Sequence, residues 1–212
     1  MSEDYLTKMR SCAVLWRMDF ITYPARPING GPLQRMRINV SEYRFQPKLN
    51  GHRTLVHVPS GTAWNRKGDL LSRSGSHSKA LVTLKAAVDA TEIPEAFEWL
   101  DCEGRPSEGA LTVLDVIPAE FHSREAGQGI RRIMLERLNL PLLDISKTIV
   151  ERDSVTIIPD WDEATGRVNY ELMKPNELYE GVVIKSPIGA YNIQKRSPNL
   201  ETTEWIKSRF RY

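Results

Sequence analysis

Several things are scarce in this chain of 212 residues. It has two cysteines, Cys12 and Cys102, far apart in sequence. They cannot form a disulfide framework or a cysteine zinc site. Its four histidines, His52, His57, His77 and His122, lack metal-ligand spacing. No apolar run approaches the roughly 18 residues of a membrane span. The opening MSEDYLTKMR has no apolar core of a secretory signal. Repeats and low-complexity tracts are absent as well. These absences exclude a secreted disulfide scaffold, a cysteine-based zinc module and a helical membrane protein, and they point to the cytosol or to no particular compartment.

Net charge is also nearly absent, at +2, but its distribution is uneven. Residues 1–80 carry 13 Lys and Arg against 5 Asp and Glu, a net of +8. Residues 81–180 carry 10 against 20, a net of −10, and residues 181–212 carry 6 against 2, a net of +4. Two basic ends that met in space would offer a face to a polyanion; scattered solvated charge is the plainer alternative.

What is present is patterned. Residues 4–19 have apolar positions near helical spacing, which predicts a helix. The Pro- and Gly-rich stretch 22–41 reads as an extended connection. TLVHV, TAWNR and LLSR read as short strands joined by the turns PSG and RKGD. A helix is expected over 77–90, with Leu81, Leu84 and Val88 on one stripe and Ser76 or Ser78 as N-cap. FEWLDCEGR and LTVLDVIP read as paired strands, and 123–138 as a helix. KTIVE, SVTII, EGVVIK, AYNIQKR and EWIKSRF are further strand candidates, with YELMKPNELY a short helix or turn. Strands run as meanders and not as βαβ units, so the fold class is α+β with antiparallel sheets.

Four segments carry ionisable groups in unusual places. Lys48-Leu49-Asn50-Gly51-His52-Arg53 puts a lysine on a tight turn at the head of the meander. Such a lysine can act as a nucleophile where its charge is disfavoured, although the same residues make an ordinary surface turn. In Asp101-Cys102-Glu103-Gly104-Arg105 the period of two places Asp101, Glu103 and Arg105 on one strand face with Trp99. That face needs a ligand, partners or solvent. Glu180 and Lys185 bracket a short apolar strand, and strict alternation sends them to opposite faces unless the strand deviates at Gly181. Trp205, Lys207 and Arg209 share a face, and two cations so placed can grip phosphates.

Taken in order, these segments form a series. Lys48-x-x-Gly51-x-Arg53 is followed by Ser72-Arg73-Ser74-Gly75, then Asp101-x-Glu103, Glu180-Gly181-x-Val183-x-Lys185 and Trp205-x-Lys207-x-Arg209. The series resembles the covalent nucleotidyltransferase superfamily of ATP-dependent DNA ligases, RNA ligases and mRNA capping enzymes. The resemblance runs from about Arg44 to Arg211, and EGVVIKSPIGAY with WIKSR is most similar to small phage-type ATP-dependent DNA ligases.

The resemblance implies a nucleotidyltransferase (ligase adenylation) domain with antiparallel sheets flanked by helices, ATP-grasp-like in outline. It implies three phosphoryl transfers: a lysine attacks ATP to give lysyl-AMP, AMP moves to the 5′-phosphate of a nick, and a 3′-hydroxyl displaces AMP. Lys48 is then the nucleophile. Arg53 and Glu103 hold the ribose or a neighbouring phosphate. Glu103 and Glu180 organise Mg²⁺. Lys185 and Lys207 grip the α-phosphate, and Arg209 matches a second family lysine. Gln46 stands where family members often have a Glu that reads adenine, and Leu114 where an aromatic stacks on it. Arg73 contacts ribose or the nick phosphate. Arg35, Arg37, Lys195 and Arg196 are candidates for nucleic-acid contact.

Three departures accompany the resemblance. Asn50 replaces the usual Asp and so removes a charge that could orient Arg53 or a metal. Cys102 replaces a common Gly and reads as a small buried filler. No segment reads as the OB-fold domain that the family usually adds, since residues 1–40 are too short for a five-stranded barrel and three residues follow Arg209; either the enzyme is naturally minimal or the sequence is a truncated form of a longer one. The expected organisation is therefore an N-terminal helix and extended segment over 1–40 packed on a catalytic domain over 41–212. The expected function is a minimal, monomeric, ATP- and Mg²⁺-dependent ligase of nicked duplex DNA, in a bacterial or phage-infected cytoplasm. An RNA ligase acting on RNA or hybrid nicks is the first alternative. A capping guanylyltransferase and a non-catalytic nucleic-acid-binding remnant follow.

Overall fold

The computed structural model describes residues 26–36, 43–71, 75–117, 127–189, 191 and 201–210. Two sheets and three helices make up this part of the chain. The strands are β1 (Arg26–Asn29), β2 (Arg44–Leu49), β3 (His52–His57), β4 (Thr62–Asn65), β5 (Leu70–Leu71), β6 (Trp99–Arg105), β7 (Ala110–Ile117), β8 (Val155–Ile157), β9 (Tyr179–Lys185) and β10 (Glu201–Arg209). The helices are α1 (Ser78–Asp89), α2 (Gln128–Glu136) and α3 (Glu163–Met173).

The six-stranded sheet has the order β5-β4-β3-β6-β7-β8, and the four-stranded sheet β1-β10-β9-β2. All neighbours are antiparallel except β1 with β10 and β7 with β8, which are parallel edge pairs. Antiparallel strands that alternate apolar and polar residues bury one face and free the other. Each sheet does this. Leu100, Leu111 and Val113 pack with Leu84 and Val88 of α1 and Leu135 of α2. Phe45, Val182 and Ile184 pack with Tyr170 and Met173 of α3. The faces turned away from these cores line one cleft.

Several expectations are corrected. The stretch 22–41 is not only a connection: β1 forms its hydrogen bonds along β10 and places Arg26 at the cleft. Helix α1 has His77 at its N-cap, without a side-chain cap bond, in place of Ser76 or Ser78. Its most buried residues are Ala80, Leu84 and Val88, with Leu81 only partly buried. KTIVE is not a strand. Asp144 accepts from the Ser146 amide at 3.0 Å and hydroxyl at 2.7 Å, which turns the chain, and Lys147 pairs with Glu151. YELMKPNELY is, as expected, short helix and turn: its first four residues end α3, residues 174–178 turn, and Tyr179 opens β9; the helix begins earlier, at Glu163, where Asp162 accepts from the Thr165 amide at 2.7 Å. Gly166 inside that helix hid it; a Cβ there would lie 2.5 Å from Phe45. The helix expected over 4–19 lies outside the described residues, as does the strand expected over 190–196 apart from Tyr191. Among the described residues no helix is long and apolar enough to cross a membrane.

Candidate active site

The cleft has a volume of about 570 Å³ and is walled by both sheets. Nine of the residues singled out from the sequence line it: Gln46 and Lys48 on β2, Arg53 on β3, Glu103 on β6, Leu114 on β7, Glu180 and Lys185 on β9, and Lys207 and Arg209 on β10. Two irregularities in the strands make this possible.

The first is at Gly181. Lys48 pairs with Gly181 but Leu49 pairs with Tyr179, so Glu180 is an extra residue on β9. A bulge of this kind shifts the alternation by one. Val182 and Ile184 keep the core face, Lys185 keeps the cleft face, and Glu180 joins it. Gly181 has φ +148°, and a Cβ there would sit 1.9 Å from the Ser208 carbonyl oxygen, so only glycine fits. The second irregularity is on β7. Asp101 pairs with Asp115 and Cys102 with Val113, which leaves Leu114 extra and turned to the cleft wall.

At the β9 bulge Glu180 binds Lys48 in a direct ion pair, and Arg209 Nε lies 3.4 Å from the same carboxylate. Glu180 thus bridges two cations that converge from different strands. Arg53 is held by Asp101, with Nε donating to Oδ1 at 2.7 Å. Tyr191 donates to the other oxygen at 2.8 Å. Burial would lower the Arg53 pKa, but Asp101, Tyr191 and Glu103 outweigh it and hold it above its ordinary value. The orienting charge for Arg53 is therefore Asp101, from the centre of the sheet. Asn50 is exposed and turned outward, its amide donating to the Glu177 carbonyl at 3.3 Å. Arg105, expected on the same face as Glu103, donates instead to the Asn50 carbonyl at 3.0 Å and does not line the cleft.

Glu103 is the perturbed acid of the site. Burial pushes its pKa up to about 7, and the carboxylates of Asp101 and Glu180 add to this against Arg53 and Lys48. An acid crowded by other carboxylates is relieved by a divalent cation, and carboxylate oxygens such as those of Glu103 and Glu180 are the donor type that such a cation takes. Among the described residues no group of three or more His, Cys, Asp or Glu is placed to hold a metal. Lys207 lies 3.9 Å from Glu201. Its pKa is lowered by burial and by Arg209, Lys48 and Arg26, which marks a cation-rich wall.

Gln46 is 3% exposed, and its amide nitrogen has no hydrogen-bond partner among the described residues. A buried orphan donor at a cleft wall is costly unless a ligand completes it. Lys185 lies 4.8 Å from the Trp205 ring centre and donates to Asp115 at 3.1 Å. Cys102 is buried in the core as a filler.

Of the expected nucleic-acid residues, Arg35 is exposed at the end of a short 3₁₀ turn and does not line the cleft. Arg37, Arg73, Lys195 and Arg196 lie outside the described residues. The cleft contains cations that the motif series passed over: Arg26 on β1, and Arg66 and Lys67 in the turn between β4 and β5. Asn65 fixes that turn by accepting from the amides of Lys67 at 2.8 Å and Asp69 at 3.0 Å. A signal existed. Asn65-Arg66-Lys67-Gly68 has the same x-Arg-x-Gly spacing as Ser72-Arg73-Ser74-Gly75.

No family model matches the chain, and no curated protein matches it. Solved structures do. One named Pmar-Lig_Pre aligns over 99% of this chain and 51% of its own, at 16% identity and TM-score 0.57. The ligase domain of LigD from M. tuberculosis aligns over 89% of this chain and 59% of its own, at 16% identity and TM-score 0.53. The ATP-dependent DNA ligase of bacteriophage T7, in complex with ATP, aligns over 89% and 68%, at 12% identity and TM-score 0.54. The chain spans about half the length of the first of these. At such identities the likeness is one of fold: this chain has the α+β fold of a ligase nucleotidyltransferase domain.

Proposed function

We propose that this chain is the catalytic domain of an ATP-dependent polynucleotide ligase that seals nicks in duplex DNA. The observation that carries the reading is the convergence of nine residues, scattered from Gln46 to Arg209, on one cleft. The fold of the solved ligases supports it.

In this reading the Lys48 amine attacks the α-phosphorus of ATP, pyrophosphate leaves, and a phosphoramide bond to AMP forms. The nick's 5′-phosphate then takes the AMP from Lys48, and the 3′-hydroxyl displaces AMP to join the strand. Such chemistry asks mainly for positioning and charge stabilisation. Glu180 aligns Lys48 and accepts its proton as the amine becomes a nucleophile. Lys185 and Lys207 bind the oxygens of the α-phosphate, where charge builds, and Arg209 adds a third cation. Arg53, fixed by Asp101, and Glu103 hold the ribose side. Gln46 offers its unpartnered amide to the base, and Leu114 packs against it. Arg73 keeps the role that the resemblance implies, contact with ribose or the nick phosphate, and Arg66, which lines the cleft, is a further candidate to grip that phosphate. Mg²⁺ would be held by Glu103 and Glu180 and would supply neutralisation of the α-phosphate.

The test is intact mass after incubation with ATP and Mg²⁺. Wild type gains one AMP, roughly 329 Da, as a covalent lysyl nucleotide requires, and Lys48→Ala gains nothing. Discharge of the adduct on a nicked DNA duplex, and not on RNA or hybrid nicks, completes the assignment. Wild type without adduct, from protein shown not to be already adenylylated, would refute it.

A further inference from the structure

Asp101 and Asp115 are Cα partners across β6 and β7, and both are buried. Asp101 serves Arg53 and Tyr191. Asp115 lies outside the cleft lining, inside an apolar strand, and belongs to none of the ionisable motifs.

Its buried carboxylate nonetheless accepts four hydrogen bonds among the described residues. Arg131 of α2 donates to Oδ1 at 2.8 Å and to Oδ2 at 3.3 Å. The Val116 amide donates to Oδ1 at 3.0 Å. Lys185 of β9 donates to Oδ2 at 3.1 Å. Arg131 is itself fixed by Gln128 Oε1 at 2.8 Å and the Gly189 carbonyl at 3.1 Å, and is 1% exposed. One carboxylate is thus shared by a cation from each side of the cleft: α2 packs on the six-stranded sheet, and β9 belongs to the other.

The division of charge has a chemical consequence. A buried carboxylate paired with a single ammonium cancels it. With Arg131 bound to both oxygens, the group Asp115, Arg131 and Lys185 keeps a net charge of +1. Burial alone would push the Asp115 carboxyl up; Arg131 and Lys185 more than reverse this and keep it ionised. Of the three ammonium donors on Lys185, Asp115 takes one. The Trp205 ring limits where the ammonium can swing.

We propose that Asp115 is the positioning residue for Lys185, and that Arg131 is the counter-charge that stops Asp115 from neutralising it. A phosphoryl group entering the cleft then meets an ammonium that is oriented and still cationic. The inference rests on the ligase reading for the identity of that ligand, ATP.

The experiment is a double-mutant cycle read by ATP binding in a calorimeter, on Lys48→Ala protein so that no chemistry follows. Asp115→Asn weakens ATP binding about tenfold where Lys185 is present and less than about twofold in a Lys185→Met background, because a residue acting through another has nothing left to act on. Asp115→Asn leaves two cations in a buried site, so Arg131→Lys, which keeps a cation beside Asp115, runs the same cycle and gives the same pattern with a smaller loss. Unfolding midpoints measured alongside separate stability from affinity. Equal losses of affinity in both backgrounds would show that Asp115 only supports the fold, and would overturn the proposal while leaving the ligase reading intact. No ATP binding to wild-type protein would instead overturn the ligase reading.

Discussion

Glu103 sits between Asp101 on its own strand and Glu180 across the cleft, and its pKa of about 7 lies above the ordinary 4.5. The consequence for stability follows from linkage. A carboxyl whose folded pKa is raised binds protons more readily in the folded state. Its contribution is fully present below about pH 4.5 and is lost as pH rises through about 7. Glu103→Gln is therefore expected to flatten the unfolding midpoint between those limits, and Mg²⁺ to stabilise wild type increasingly as pH passes 7. Thermal scans across pH, with and without Mg²⁺, check both. A wild-type profile unchanged by the substitution would remove Glu103 from the cation site. The residue types at this scale were readable in advance: an acid pair two apart and cations two apart on strands, and a lysine that was expected on a tight turn and instead ends strand β2 just before one. Their counter-ions were not. Nothing local distinguishes Asp115 in LTVLDVIP from a surface acid, because Arg131 and Lys185 come from 16 and 70 positions away.

Bulges at the scale of the strand decide which side chains meet. Gly181 lets β9 carry Glu180 and Lys185 on one face, and the close approach of the Ser208 carbonyl leaves no room for a Cβ. Gly181→Ala is expected to cost about 3 kcal/mol, from a strained φ and a backbone clash together. It should also abolish lysyl-AMP formation in whatever fraction remains folded, since Glu180 returns to the other face. Denaturant unfolding and intact mass measure the two effects. Unchanged stability would mean that β9 and β10 separate without loss. That a deviation at Gly181 was needed could be seen from the sequence by counting faces. The bulge on β7 could not, because Leu114 and Asp115 sit in an apolar run with no glycine to mark it. Helix α3 and strand β1 were obscured by glycine and proline, which here serve close packing on Phe45 and an edge position on β10.

For the molecule as a whole, charge is sorted by the fold. Among the described residues, parts of the basic segment before residue 80 and of the basic end after 180 come together: β1 pairs with β10, β2 with β9, and the turn after β4 lines the same cleft. The result is a mouth flanked by Arg26, Arg66, Lys67, Lys207 and Arg209. If this mouth holds nucleic-acid phosphates, affinity for a nicked duplex falls steeply with salt. Arg66→Ala with Lys67→Ala should weaken binding about equally across sequences and reduce the log–log salt slope by roughly two. Fluorescence anisotropy at several salt concentrations gives the slope, and an unchanged slope would place the phosphates elsewhere.

The order of the ionisable motifs and most of the strands that hold them were legible in the amino-acid sequence alone. Each is a local matter, of side-chain chemistry or of a period of two. The tertiary structure decided which faces those strands present, which carboxylate holds which cation, and that Arg66 and Arg26 belong to the cleft. Those outcomes depend on register and on distances between groups far apart along the chain, and local propensity contains neither.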